Sequence, residues 1–363
     1  MRKQAAHTSA LSVALVFIGT VIGAGFATGA EIMTYFTRFG EAGFWGMLAA
    51  AALLWIGAGC TLHIAYEYKS TDCGSFTQIL AGKWAGAVLD ACITLSMLLG
   101  YGAMLAGSGA VFAQQWGMPE SAGIILMTAA VLLALHRGEQ GILWVNRLLT
   151  PLLILGILLL GIYSVYTAGT QQETAGLLLQ PISAVSAQPV KELPQALHSA
   201  VLYASYNMLG ASAVLIGVSS GLKSLRQAHR AALTGAAILL VLTFAIGVAT
   251  FLNYDTIKGA SIPVLALLEK RSLWQKMYVW VLLGAMYTTA VADGFGAAAR
   301  IQTMVRFSRG TVCVLTTLAA LGLAHLGFGR LVAGGYRLMG YLGIVQLVLT
   351  IIRCIPKKRG EHT

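Results

Sequence analysis

Apolar residues fall along the chain in runs of about 20, the length that spans a hydrocarbon core roughly 30 Å thick. Short polar stretches separate them. The pattern predicts ten transmembrane helices, at 9–37, 42–66, 85–115, 121–136, 142–167, 195–219, 228–252, 275–300, 311–327 and 331–352. They are numbered helix 1 to helix 10 in chain order. The polar stretch 67–84 has room for a short surface helix ahead of helix 3. Residues 262–268 are apolar but too few to span, which predicts a helical piece of an outer loop. A polar linker at 168–194 holds three of the seven prolines. It divides the chain into two five-helix halves, 1–167 and 195–352, and a basic tail at 353–363 closes it.

Composition narrows the class. The 363 residues are 57% hydrophobic and 10% charged, with mean hydropathy +0.77, which excludes a soluble globular domain. The short alternating segments of an outer-membrane barrel are missing from the pattern. The first apolar run is too long for a cleaved leader and is not followed by a small-residue cleavage site and a soluble region. The net charge of +11 could suggest nucleic acid. The Lys and Arg residues, however, are scattered over short loops and form no basic face. Most of the 24 lie in segments that share a side with both termini, which predicts a multi-pass protein of the cell membrane with cytoplasmic termini. Cys60, Cys73, Cys92, Cys313 and Cys354 show no metal-ligand spacing and read as small apolar or loop residues without a disulfide. No nucleophile–base constellation marks an enzyme, no cofactor motif is present, and oligomeric state leaves no signal.

Helix 1 carries the candidate chemistry. Its centre reads Gly19-Thr20-Val21-Ile22-Gly23-Ala24-Gly25-Phe26-Ala27-Thr28-Gly29-Ala30-Glu31. Glycine inside a helix costs about 1 kcal/mol relative to alanine. A break near Gly23–Gly25 would free carbonyls on one side and amides on the other. Carbonyls of 19–22 suit a cation. Amides of Ala24, Gly25 and Phe26 suit an anion such as a carboxylate, helped by the helix dipole. The alternative is that these glycines only let helices approach closely, as small-xxx-small motifs do.

Because five helices precede the second half, a repeat would be inverted, and helix 6 would correspond to helix 1. Helix 6 carries Tyr203-Ala204-Ser205-Tyr206-Asn207 at mid-membrane depth. Interrupted segments at matching positions point to a transporter binding site, so helix 6 is expected to be broken here as well. Tyr203, Ser205, Tyr206 and Asn207 would then line the pocket. Interhelical hydrogen bonding is the other reading. In helix 8, the hydroxyls of Thr288 and Thr289 could complete a cation's oxygen shell, or bond within their own helix.

These residues resemble a known group. Gly19-x-x-Ile22-Gly23-x-Gly25 together with Ala285-x-x-Thr288-Thr289 is similar to sodium-coupled transporters of the leucine-transporter fold. The helix 1 run looks like the YkvI-type bacterial membrane proteins of the amino acid–polyamine–organocation superfamily. The resemblance implies an all-α fold with ten transmembrane helices in a 5+5 inverted repeat, helices 1 and 6 broken. It implies a sodium site on Gly19, Ile22, Ala285, Thr288 and Thr289. It also implies that Tyr101 in helix 3 meets a substrate carboxylate, with Gly23 to Phe26 at the other side. Helix 5 has no Lys in the place that sodium-independent members often fill.

Three charges lie at depth. Glu31 is six residues past Gly25, roughly 9 Å along a helix. Intramembrane acids default to function with a named partner, and Arg337 of helix 10 is the expected one, the two forming an outer gate. The alternative is an acid facing an aqueous vestibule. Asp293, one turn beyond Thr289, could attract the outgoing cation, carry a proton, or pair with a nearby inner Arg. The expectation is a sodium-coupled symporter of an amino acid or related small amine. A proton-coupled transporter of the same solutes and a non-transporting membrane receptor are the other two readings.

Overall fold

A computed structural model describes residues 9–70, 72–137, 140–170, 192–268 and 272–355. Helix 1 is three pieces, Ala10–Val21, Ala24–Ala27 and Ala30–Tyr35, followed by the 3-10 turn Thr37–Phe39. Helices 2 to 5 are Glu41–Glu67, Cys73–Trp116, Glu120–Arg137 and Gln140–Thr170. Helices 6 and 7 are Leu193–Ser219 and Leu225–Leu252. The outer loop holds the short helices Tyr254–Ile257 and Pro263–Leu267, the latter where the apolar piece was expected. Helices 8 and 9 are Leu273–Met304 and Arg309–Ala324, and helix 10 is Phe328–Cys354. No strand occurs among the described residues. Most of the linker at 168–194 and of the tail at 353–363 lies outside them.

Helices 2, 3, 6, 7, 8 and 10 are long and apolar enough to cross a membrane, and helices 1, 4, 5 and 9 contribute shorter apolar segments. The outward surface is apolar too. Ile125, Leu133, Ile162 and Trp280 are all more than 60% exposed, an arrangement that water penalises and hydrocarbon does not. The protein is a multi-pass membrane protein.

Local sequence explains where helices begin. Ser9, Asp72, Ser224, Ser272 and Ser308 each accept the amide three residues on, at 2.9–3.2 Å. These caps start helices 1, 3, 7, 8 and 9 by satisfying an amide that has no partner inside the helix. The expected surface helix is continuous with helix 3 but is set off from it by Gly82, at φ 78°.

Helix 6 differs from expectation. It is one unbroken helix from Leu193 to Ser219. Its polar centre looks inward for partners: Asn207 Nδ2 donates to the Tyr203 carbonyl four residues back, at 3.0 Å. Ser, Tyr and Asn lower helix propensity by only a few tenths of a kcal/mol each, too little to break a span that packs along helices 2 and 10. The packing on helix 10 is close. A Cβ on Gly343 would stand 2.3 Å from the Ser205 carbonyl oxygen. Gln346 of helix 10 also donates to Ser212 at 2.8 Å, so part of helix 6's polarity is interhelical bonding.

Candidate functional site

Helix 1 breaks twice. At the first break Ile22 leaves helical geometry, at φ −76° and ψ 74°. The Gly23 amide, which would bond the Gly19 carbonyl in a continuous helix, turns instead to Val21 O at 2.8 Å. The Gly19 carbonyl is thereby released. The chain restarts at Ala24, and Ala27 N–H donates to Gly23 O at 3.0 Å. The first amides of such a restart have no partner within it.

The second break was not anticipated. Gly29 adopts a left-handed conformation, φ 77° and ψ −5°, and a Cβ there would stand 3.0 Å from Val264 Cγ2. Neighbours satisfy the backbone that the break exposes. Tyr278 of helix 8 donates to Ala27 O at 2.6 Å, and Val264 N–H of the outer loop donates to Thr28 O at 3.0 Å. The loop is held in turn by Gln114 of helix 3, whose side chain bonds both the amide and the carbonyl of Ile262 at 3.1 Å. The fourth glycine of the run was the available signal.

On the carbonyl side, helix 8 lies against the first break. A Cβ on Gly23 would lie 3.9 Å from Thr289 Cγ2. Thr288 is buried and its hydroxyl donates to Ala285 O at 3.0 Å. The structure therefore brings Gly23 and Thr289 together and keeps Thr288 and Ala285 one helical turn apart in the same helix. Carbonyls and hydroxyls are the oxygen ligands a hard cation takes.

On the amide side stands Glu31. A Cβ on Gly25 would be 2.0 Å from its Oε1, so the carboxyl folds back onto that glycine. Glu31 is 2% exposed, and Oε2 has no hydrogen-bond partner. The Tyr206 hydroxyl is within bonding reach of the carboxyl. The expected gate is corrected here: Glu31 and Arg337 form no ion pair. Among the described residues the ion pairs are Asp90–Arg300, Asp255–Lys258 and His63–Glu67. Glu31 turns along its own helix toward Gly25 and away from solvent.

The remaining candidates divide. Tyr203 and Ser205 are buried, with hydroxyls that find no partner among the described residues. Tyr206 stacks on Tyr336 of helix 10 at 4.5 Å and 17°. Tyr35 and Tyr203 meet edge to face at 5.5 Å, and Phe36 lies 5.0 Å from Tyr203. Phe26 is buried in the core. Tyr101 stands apart: its hydroxyl donates to Thr317 of helix 9 at 3.2 Å, and its ring lies beside Gly294. Asp293 packs over helix 3, where a Cβ on Gly100 would stand 2.2 Å from Oδ2. It does not take the inner Arg300, which belongs to Asp90. Tyr35 and Tyr336 were missed in the sequence. Tyr35 could have been found four residues after Glu31, on the same helical face. Tyr336 follows a π turn at Leu331–Gly335 that no residue pattern announces.

No family model matches the chain. The uncharacterized membrane protein YkvI of Bacillus subtilis (strain 168) is 26% identical over 357 residues, covering 97% of this chain and 98% of that protein. Over nearly its whole length the chain is similar to this membrane protein. The uncharacterized protein YyaD of the same organism is 25% identical over 345 residues, 95% of this chain and 96% of that one. Three solved structures share the architecture. MhsT in complex with L-phenylalanine superposes with TM-score 0.64 at 18% identity, over 95% of each chain. A manganese transporter of Eremococcus coleocola gives TM-score 0.60 at 15% identity, over 95% of this chain and 78% of that chain. A Na+-coupled sialic acid symporter in a substrate-bound outward-open state gives 0.57 at 16%, over 94% and 78%. At these identities the likeness establishes the leucine-transporter fold.

Proposed function

We propose that the protein is a secondary active transporter of the cell membrane, with cytoplasmic termini, that moves a small amine-bearing solute by alternating access. Sodium is the coupling ion, held by the Gly19, Ile22 and Ala285 carbonyls and the Thr288 and Thr289 hydroxyls. The solute sits on the other side of the same break, among Gly25, Tyr203, Tyr206 and Glu31.

The observation that carries the reading is the broken centre of helix 1 with Thr289 against Gly23. Unpaired backbone at membrane depth survives only beside protein, a cavity or an ion. The second break is sealed by Tyr278 and Val264, whereas at the first break the Gly19 carbonyl has lost its helical partner. The shared fold adds support, since a Na+-coupled symporter adopts it. A divalent metal as cargo, as the manganese neighbour's name would suggest, is disfavoured. Among the described residues no group of three or more His, Cys, Asp and Glu side chains converges. An inside-negative potential supplies ~2.3 kcal/mol per charge per 100 mV to the inward step.

The second reading is proton coupling through Glu31 or Asp293, favoured by the lack of an ion pair at either acid among the described residues. Uptake by the purified protein in proteoliposomes separates the two. Sodium coupling predicts uptake driven by an inward sodium gradient. Uptake that persists without sodium and collapses with the pH gradient would replace it. Ligand binding with no flux under any gradient would make the protein a receptor.

A further inference from the structure

The amide end of the first break is where a free amino acid would place its carboxylate, and the chain fills that place itself. The Glu31 carboxyl lies on Gly25, with Oε1 2.0 Å and Cδ 2.7 Å from where a Cβ would be. Only a residue without a side chain leaves it room. The carboxyl is 2% exposed, and its second oxygen is unpartnered. Two further polar atoms close by are also buried without partners, the hydroxyls of Tyr35 and Tyr203. Tyr35 follows Glu31 by one turn of the same helix, and its ring meets that of Tyr203 edge to face at 5.5 Å. Tyr206, whose hydroxyl is within bonding reach of the carboxyl, stacks on Tyr336 beside it. Glu31 has no ion-pair partner among the described residues.

Buried polar groups are normally hydrogen-bonded, and buried charges are normally paired. Here one carboxyl oxygen and two phenol oxygens, all able to accept, are buried with no hydrogen-bond partner among the described residues. An ammonium group carries three donors and no acceptor. Aromatic faces attract cations. A ligand bringing its own carboxylate would set a second anion against Glu31, and like charges at such range disfavour each other.

We propose that the substrate is an organic ammonium ion without a free carboxylate, seated on Glu31 with the Tyr35 and Tyr203 hydroxyls as further acceptors. Its hydrocarbon lies against Tyr206 and Tyr336. This narrows the solute class of the transport reading and rests on it for what the site is for, although binding is measured without flux.

The test compares amines with their parent amino acids, pairs that differ by one carboxylate. Cadaverine with lysine and phenethylamine with phenylalanine are titrated into the full-length protein in nanodiscs, in sodium. Each amine is expected to bind at least about tenfold tighter than its parent, a difference of ~1.4 kcal/mol. Glu31→Gln is expected to weaken both amines by about tenfold or more. Gly25→Ala, which puts a methyl where Oε1 lies, does the same. A parent amino acid that binds as tightly as its amine, or amines that fail to bind, overturns the proposal with no variant required. Unchanged amine affinity in a folded Glu31→Gln protein also overturns it. Amine binding without uptake under any gradient would remove the transport reading and leave the ammonium site standing. Uptake of an amino acid in preference to its amine would do the reverse.

Discussion

Helix 1 and helix 6 open the two halves of the molecule, and both carry helix-weakening residues at membrane depth. Only helix 1 breaks. The difference lies in what surrounds each helix as much as in its own residues. Helix 1 has Gly19, Gly23, Gly25 and Gly29 within one short stretch. It also has outside partners for the exposed backbone, in Tyr278 for Ala27 O and Val264 for Thr28 O. Helix 6 has Tyr203, Ser205, Tyr206 and Asn207, each a modest loss of propensity. Asn207 spends its amide on its own helix, and helix 10 closes tightly over Ser205. A break therefore needs both weak local propensity and a neighbour able to receive the freed groups. Polar residues at depth supply neither by themselves.

Three substitutions sharpen that contrast. Gly29→Ala has the largest expected effect. A left-handed backbone costs a residue with a Cβ about 1–2 kcal/mol, and Val264 Cγ2 would have to move from 3.0 Å as well. The variant should lose about 2 kcal/mol or more by thermal unfolding in detergent, and wild-type stability would remove the left-handed turn. Tyr278→Phe comes next. It leaves the buried Ala27 carbonyl unpaired, at a cost of about 1–3 kcal/mol. Hydrogen exchange at Ala27–Gly29 should rise with it, and unchanged exchange would show that the second break does not depend on helix 8. Gly210→Ala in helix 6 is the smallest and opposite in sign. No atom lies within 4 Å of the added Cβ, so the unbroken helix should gain about 0.5–1 kcal/mol. A loss there would argue that helix 6 bends in some functional state.

Much of this architecture is legible in residues alone. The apolar runs place nine of the ten helices to within a few residues; helix 3 begins earlier than expected, at Cys73, because the surface helix is continuous with it. The first break follows from glycine density. Long-range geometry is harder to read. Glu31 is six residues beyond Gly25 in sequence, and its expected partner was an Arg of opposite charge. The second break at Thr28–Gly29 shortens that path and lets the side chain reach back to Gly25. Tyr101 sits at mid-span in helix 3, yet Thr317 of helix 9 offers its hydroxyl a partner that position alone does not disclose. The helix 6 break failed as an expectation because propensity was counted without asking where the freed backbone would bond.

The sodium half of the helix 1 break is tested most directly by sodium-dependent stabilisation of the purified protein, with potassium replacing sodium at constant ionic strength. A ligand that binds only the folded state raises its stability by RT ln(1 + [L]/Kd), about 2.7 kcal/mol at a hundredfold excess over Kd. Sodium is expected to raise Tm in a saturable way in the wild type. Thr289→Ala is expected to fold and to lose most of that rise, while Thr20→Ala, whose hydroxyl bonds Val16 O at 2.8 Å within its own helix, keeps it. No sodium effect in the wild type, or an undiminished one in Thr289→Ala, would contradict the site.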